Sequence, residues 1–263
     1  MATVKPDQGS EFEMAAHAFL QSRADDAPRV RIPEAVLDRA ANAIAEATSP
    51  RVIRTIHHFA CTGGTILSRA LQAQPGVRVI SEVDPLSTKQ LMRGRKAFAP
   101  NNLIALARGG FYDVSDAVIE QIFLGGLEPL ERECRWLAES LVLRDHAHSR
   151  YCTEVDPSKR RGMLDILRDV YPTRSLVTVR HPIDSWLSML NNDFIEFPDA
   201  SLEEYCRRYL QFLSDHADLP IVHYEDFTAD PDSVIGGMCD ILDLRVAPPW
   251  KDFLIAIRLS GDS

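Results

Sequence analysis

The sequence predicts an α/β fold, a parallel sheet of about five strands flanked by helices, with a helical insertion after the second strand. Three observations predict it. Short apolar runs alternate with longer segments of helical spacing along most of the chain. A small-residue turn, Cys61-Thr62-Gly63-Gly64-Thr65, joins the first apolar run directly to an amphipathic stretch. The composition is globular, with 263 residues of which 45% are apolar and 25% charged.

The elements follow in order. Residues 1–30 are polar and Pro-bearing and are expected to form a flexible arm, leaving 31–263 as one domain. Pro33, followed by Val36, Leu37, Ala40, Ile44 and Ala47, predicts a helix over about 33–48. A strand at 52–59 and a helix at 63–73 come next, ended by Pro75-Gly76. Val77–Ser81 reads as the second strand. Residues 86–139 are helix-rich, with apolar spacing in 101–108, 114–124 and 130–138, broken by Gly109-Gly110 and Gly125-Gly126. Lying between two strands, this block is expected to cap a substrate. Leu141–Arg144 is a third strand, 158–169 a helix and Ser175–Arg180 a fourth strand. Pro182 opens a helix to about 192, and another covers 201–215. Leu219–Tyr224 is a fifth strand, and helices near 231–243 and 248–258 close the chain. In such a sheet, ligands bind at the carboxyl ends of the strands.

Charge and cysteine content narrow the function. The net charge of −9 argues against a general nucleic-acid or membrane-surface binder, so an anionic ligand needs a local basic pocket. No apolar run approaches membrane-spanning length and no signal-peptide core is present, so a cytoplasmic location without a membrane span is expected. Cys61, Cys134, Cys152, Cys206 and Cys239 show no metal-ligand spacing and are expected to be reduced thiols. His57, His58 and Cys61 form an H-H-x-x-C pattern, but adjacent strand residues face opposite sides, so no metal site is expected.

The turn at 61–65 has the makings of a phosphate seat. A helix that starts on a tight turn leaves backbone N–H groups unpaired at the positive end of its dipole. Gly63 and Gly64 allow close approach of an anion, while Thr62 and Thr65 add hydroxyls. The turn has no Lys, which a triphosphate loop needs to reach the β and γ phosphates. A nucleotide with fewer phosphates at this end fits better. A second anion signature follows the fourth strand. Arg180 ends that strand, Pro182 starts a helix, and Ser188 lies two turns along it. A guanidinium fork with a helix hydroxyl can clamp a phosphomonoester.

Together, Cys61–Thr65 and the Arg180/Ser188 pair resemble the sulfotransferase family, which uses 3′-phosphoadenosine 5′-phosphosulfate as donor. Ile221-Val222-His223-Tyr224-Glu225-Asp226-Phe227 also looks like that family's late strand with its Tyr-Glu-Asp ending. The resemblance spans about 52–245, with 86–139 unmatched in detail. It implies a P-loop at Cys61, Thr62, Gly63, Gly64, Thr65 and Ile66 for the 5′-phosphosulfate, and Arg180 with Ser188 for the 3′-phosphate. Two departures matter. Many members carry Lys or Arg at the position of Cys61, and here Arg144, Arg69, His57 or His58 would have to supply that charge. The family's Gly- and basic-rich C-terminal segment is not matched by Ser260-Gly261-Asp262-Ser263.

Sulfuryl transfer needs an aligned acceptor, a base and donors for the departing oxygen. Glu82, at the end of the second strand, is the preferred base, at a distance from the loop similar to that of the catalytic Glu in tyrosylprotein sulfotransferases. His146 orients the acceptor or shares the role, since Arg144-Asp145-His146 resembles the Lys-Thr-His stretch of cytosolic sulfotransferases. The acceptor is a small molecule, saccharide, lipid or peptide bearing a hydroxyl or amine. Two rival classes stand beside this. Leu141–Asp145 could end in the metal-binding Asp of a P-loop small-molecule kinase, and Cys61 leaves room for a non-catalytic nucleotide-binding domain.

Overall fold

The computed structural model describes residues 36–37, 51–88 and 101–259. The chain divides into two units, Met1–Asn42 and Ala43–Ser263, and the second carries the sheet. Of the expected 33–48 helix, only Val36 and Leu37 lie in the described part, and both are helical. The expected arm at 1–30 and the last four residues lie outside it.

Five strands form one parallel sheet in the order β2-β3-β1-β4-β5. They are β1 Ile53–His58, β2 Val77–Val83, β3 Ser140–Asp145, β4 Thr173–Val179 and β5 Ile221–His223. β1 and β4 are buried along nearly their whole length, as central parallel strands covered on both faces must be. Because β3 and β4 flank β1, the turn after β1 opens into the crevice where the strand order reverses.

Helices cover both faces. On one face, α1 (Gly64–Gln72) and a later helix, Pro231–Leu242, bury Leu67, Leu71, Ile235 and Met238 against Ile56, Val142 and Leu176. The opposite face begins with α2 (Leu103–Arg108) and α3 (Asp116–Trp136). α3 runs unbroken through Gly125-Gly126 and Pro129, where the sequence predicts an interruption. Burial of Leu127 and Cys134 against Ile53, Leu141 and Leu143 outweighs the helix-breaking residues. α3 therefore covers the sheet as the crossover between β2 and β3.

The short α4 (Ala147–Tyr151) and α5 (Met163–Arg168) follow β3, and α6 (Pro182–Asn191) and α7 (Leu202–Asp215) follow β4. Phe59, Tyr151, Trp186, Tyr205 and Phe212 form one aromatic core there. Trp186 and Phe59 are thus core residues. Tyr224 leaves β5 at once to begin α8 (Tyr224–Ala229), and α9 (Pro231–Leu242) and the single turn α10 (Trp250–Phe253) follow. The last expected helix, 248–258, shrinks to that turn. No helix among the described residues is long and apolar enough to cross a membrane.

Candidate active site

β1 ends at His58 and the chain turns sharply through Cys61 and Gly63, both in the left-handed region at φ 60° and 83°. A side chain at Gly63 is excluded twice, since its Cβ would also lie 2.2 Å from the Tyr224 ring. At Gly64 a Cβ would strike the His58 ring at 2.3 Å. No side chain caps α1, and its first turn holds no acidic residue. The N–H groups of Gly64, Thr65 and Ile66 therefore have no partner within the helix and face the crevice with the positive end of its dipole. The Thr62 hydroxyl, expected to reach a ligand, instead donates to the Phe59 carbonyl at 2.8 Å and is buried. Closing the turn uses it up, so Thr62 offers its backbone alone.

Arg180 follows β4 on the other side of this turn. Tyr209 fixes its backbone at both ends, accepting from Arg180 N at 3.1 Å and donating to Arg180 O at 3.0 Å. The guanidinium donates to the Cys61 carbonyl at 3.4 Å and stands 5.0 Å from the centre of the Tyr224 ring. Ser188, on α6, lies beside the Cys61 thiol. Burial raises the pKa of that thiol, against the opposing pull of Ser188 and Arg180, so it stays protonated. The structure thus brings the loop, Arg180 and Ser188 together. Tyr224 touches both halves; its only mark in the sequence is the Tyr-Glu-Asp ending after β5.

Glu82 and His146 also meet. A register shift between Ile80 and Val83 bulges β2, and Glu82 sits in it at φ 64°, a conformation that costs a non-glycine residue about 1–3 kcal/mol. The bulge turns its carboxylate toward β3, 3.0 Å from Arg144 and 3.1 Å from His146. The segment is held from behind by Asp84, which Arg160 clamps at 2.6 and 3.3 Å and Ser149 also bonds. The pairing of Arg160 with Asp84 has no signal in the sequence.

Of the four candidates for the missing loop cation, Arg144 and His58 border the loop. Arg144 is 5% exposed and donates to Thr65 Oγ1 at 3.1 Å and to His58 Nε2 at 3.0 Å. Burial first, and then the charge of Arg144, hold the His58 pKa well below the usual range, so it is neutral and accepts. Arg69 lies half-buried on α1. His57 points to the opposite face of the sheet, as strand alternation requires. There it donates to Asp145 at 2.9 Å and contacts Thr55 at 2.9 Å, with the His216 ring 4.7 Å away. His57, Asp145 and His216 form a buried group of possible ligands, whereas His58 and Cys61 are not part of it. Asp145, the would-be metal ligand of a kinase, therefore faces away from the loop.

A family model described as the sulfotransferase family matches residues 59–248. The chain belongs to the sulfotransferase family. It is accordingly a transferase, and its parallel five-stranded sheet is the fold expected of it. No curated protein sequence matches this sulfotransferase significantly. Among solved structures, it resembles the sulfotransferase domain of the Synechococcus PCC 7002 olefin synthase at 18% identity and TM-score 0.47, covering 77% of this chain and 76% of that one. It also resembles the Deinococcus radiodurans tunicamycin resistance protein at 16% identity and TM-score 0.47, covering 76% and 99%. Mouse sulfotransferase SULT7A1, complexed with PAP, is similar at 11% identity and TM-score 0.41, covering 79% of this chain and 65% of that one.

Proposed function

We propose that this sulfotransferase moves a sulfuryl group from 3′-phosphoadenosine 5′-phosphosulfate to a hydroxyl or amine acceptor by in-line displacement. One observation carries the reading: the Arg180 guanidinium reaches the Cys61 carbonyl at 3.4 Å, with Ser188 beside the same residue, so the two anion seats adjoin and suit opposite ends of one adenylate. The residues fit such a donor, because the uncapped start of α1 and the two glycines leave room for an anion against the backbone. Gly63, Gly64, Thr65 and Ile66, with the backbone of Cys61 and Thr62, would hold the 5′-phosphosulfate. Arg180 and Ser188 would hold the 3′-phosphate, and Tyr224 the space between. When bound, the donor supplies a sulfuryl group on a good leaving group.

The rest is done by the chain. Glu82 takes the acceptor's proton, and His146 at 3.1 Å steadies the carboxylate and orients the acceptor. The strained backbone at Glu82 keeps that carboxylate aimed at the crevice. The acceptor is a small hydroxyl-bearing molecule, saccharide or lipid, and the protein works in the cytoplasm without a metal.

The test is transfer from sulfur-labelled donor to a panel of hydroxyl acceptors. Glu82→Gln should lower turnover by roughly 10²-fold or more without weakening nucleotide binding. Unchanged turnover would move the base to His146, and tight nucleotide binding with no transfer to any acceptor would favour a non-catalytic domain.

A further inference from the structure

The Arg144 guanidinium is engaged at both Nη atoms. Nη1 donates to Ser81 Oγ at 2.8 Å and meets Glu82 Oε1 at 3.0 Å. Nη2 donates to His58 Nε2 at 3.0 Å and to Thr65 Oγ1 at 3.1 Å. One end thus holds the base proposed above, and the other borders the start of α1. The register of the sheet makes this span possible: Arg144 pairs with Ile56 beside the end of β1 and faces the α1 side of the sheet. The two acceptors on Nη2 are neutral. Glu82 meets the guanidinium with a carboxylate.

We propose that Arg144 is a bridging cation that couples the donor seat to the base. This rests on the donor reading above. An anion at the start of α1 takes Nη2 from Thr65 and His58, exchanging neutral acceptors for a charged one. The same positive charge is then shared between two anions, and its hold on Glu82 weakens. As the acceptor oxygen bonds to sulfur, the sulfur–oxygen bond to the phosphate breaks. The electron pair stays on the phosphate oxygen facing Arg144, and the acceptor's proton goes to Glu82. Arg144 also stands in for the cation missing at Cys61, reaching the same point from β3.

Coupling is reciprocal: if seated nucleotide draws Arg144 away from the Glu82 carboxylate, a neutral residue at 82 must tighten nucleotide. The experiment is a double-mutant cycle on the calorimetric Kd of adenosine 3′,5′-bisphosphate, whose 5′-phosphate carries the departing oxygen. Glu82→Gln should bind about fivefold tighter than the unmodified protein. Arg144→Met should bind roughly tenfold weaker or worse, and Glu82→Gln should then add no gain in that background. A gain that persists without Arg144 is plain repulsion and overturns the bridge, as does no gain at all.

Should Arg144→Met fail to fold, a crystal structure of the unmodified protein with the bisphosphate decides. Nη2 on a 5′-phosphate oxygen supports the bridge, whereas Nη2 left on Thr65 and His58 without phosphate contact overturns it. No binding of the bisphosphate by the unmodified protein defeats the donor reading itself. Binding without the Arg144 contact defeats this inference alone.

Discussion

The Arg180 guanidinium donates to the carbonyl of Cys61 at 3.4 Å, across the opening between β4 and the turn after β1. The bond ties two segments far apart in sequence and fixes where two clusters of donors stand relative to each other. Arg180 also stacks against Tyr224, which in turn closes off Gly63. Arg180→Ala should therefore weaken adenosine 3′,5′-bisphosphate binding by about 2–5 kcal/mol, read by calorimetry. Arg180→Lys should recover only part of it, since a point charge cannot reproduce the fork. Unchanged affinity in Arg180→Ala would remove the 3′-phosphate assignment.

Asp84 and Arg160 form an ion pair with side chains only 6% and 9% exposed. Removing one partner leaves the other charged, buried and alone, so Asp84→Ala should destabilise the fold by about 3–5 kcal/mol in urea unfolding. Because Asp84 also anchors the segment after the β2 bulge, a partly compensated Asp84→Asn should fold and still lose turnover with unchanged nucleotide affinity. Full turnover in that variant would show that the anchor does not aim Glu82.

Stability should fall in mild acid. Burial first, and then the neighbouring His57, push the His216 pKa down to about 4, from an ordinary 6.5. Between those values the unfolded chain holds a proton that the folded chain does not. The contribution is thus fully present above about pH 6.5 and is lost as pH falls toward about 4. One such group changes stability by up to about 1.4 kcal/mol per pH unit. His58, also driven neutral by burial, adds in the same direction. Urea midpoints across this range should decline, and less so in His216→Gln. A flat profile would contradict the buried neutral histidines.

What the sequence disclosed follows from the range of each signal. Apolar runs bounded by Gly and Pro marked all five strands, because parallel strands buried on both faces leave little polar character. Pro182 marked a helix start correctly, in the first turn. α4 and α8 were missed, since five or six residues are too few to show a helical period. Tyr224 was expected to end a strand and instead opens α8, which turns its ring toward Gly63 and Arg180. At the site, residues lying in motifs were legible: Cys61 to Ile66, Arg180 and Ser188. Glu82 and His146 were legible as strand-end groups. Their contact depends on a bulge that no local pattern announces. The Asp84–Arg160 anchor joins residues 76 positions apart and leaves no periodic trace.

The most direct measurement is a thermal-shift comparison of adenosine 3′,5′-bisphosphate with ATP on the unmodified protein. A nucleotide held at both phosphates should raise Tm well beyond ATP at equal concentration, since stabilisation grows with occupancy of the folded state. Equal shifts, or a larger one with ATP, would contradict a site that grips one adenylate through Arg180 and the start of α1.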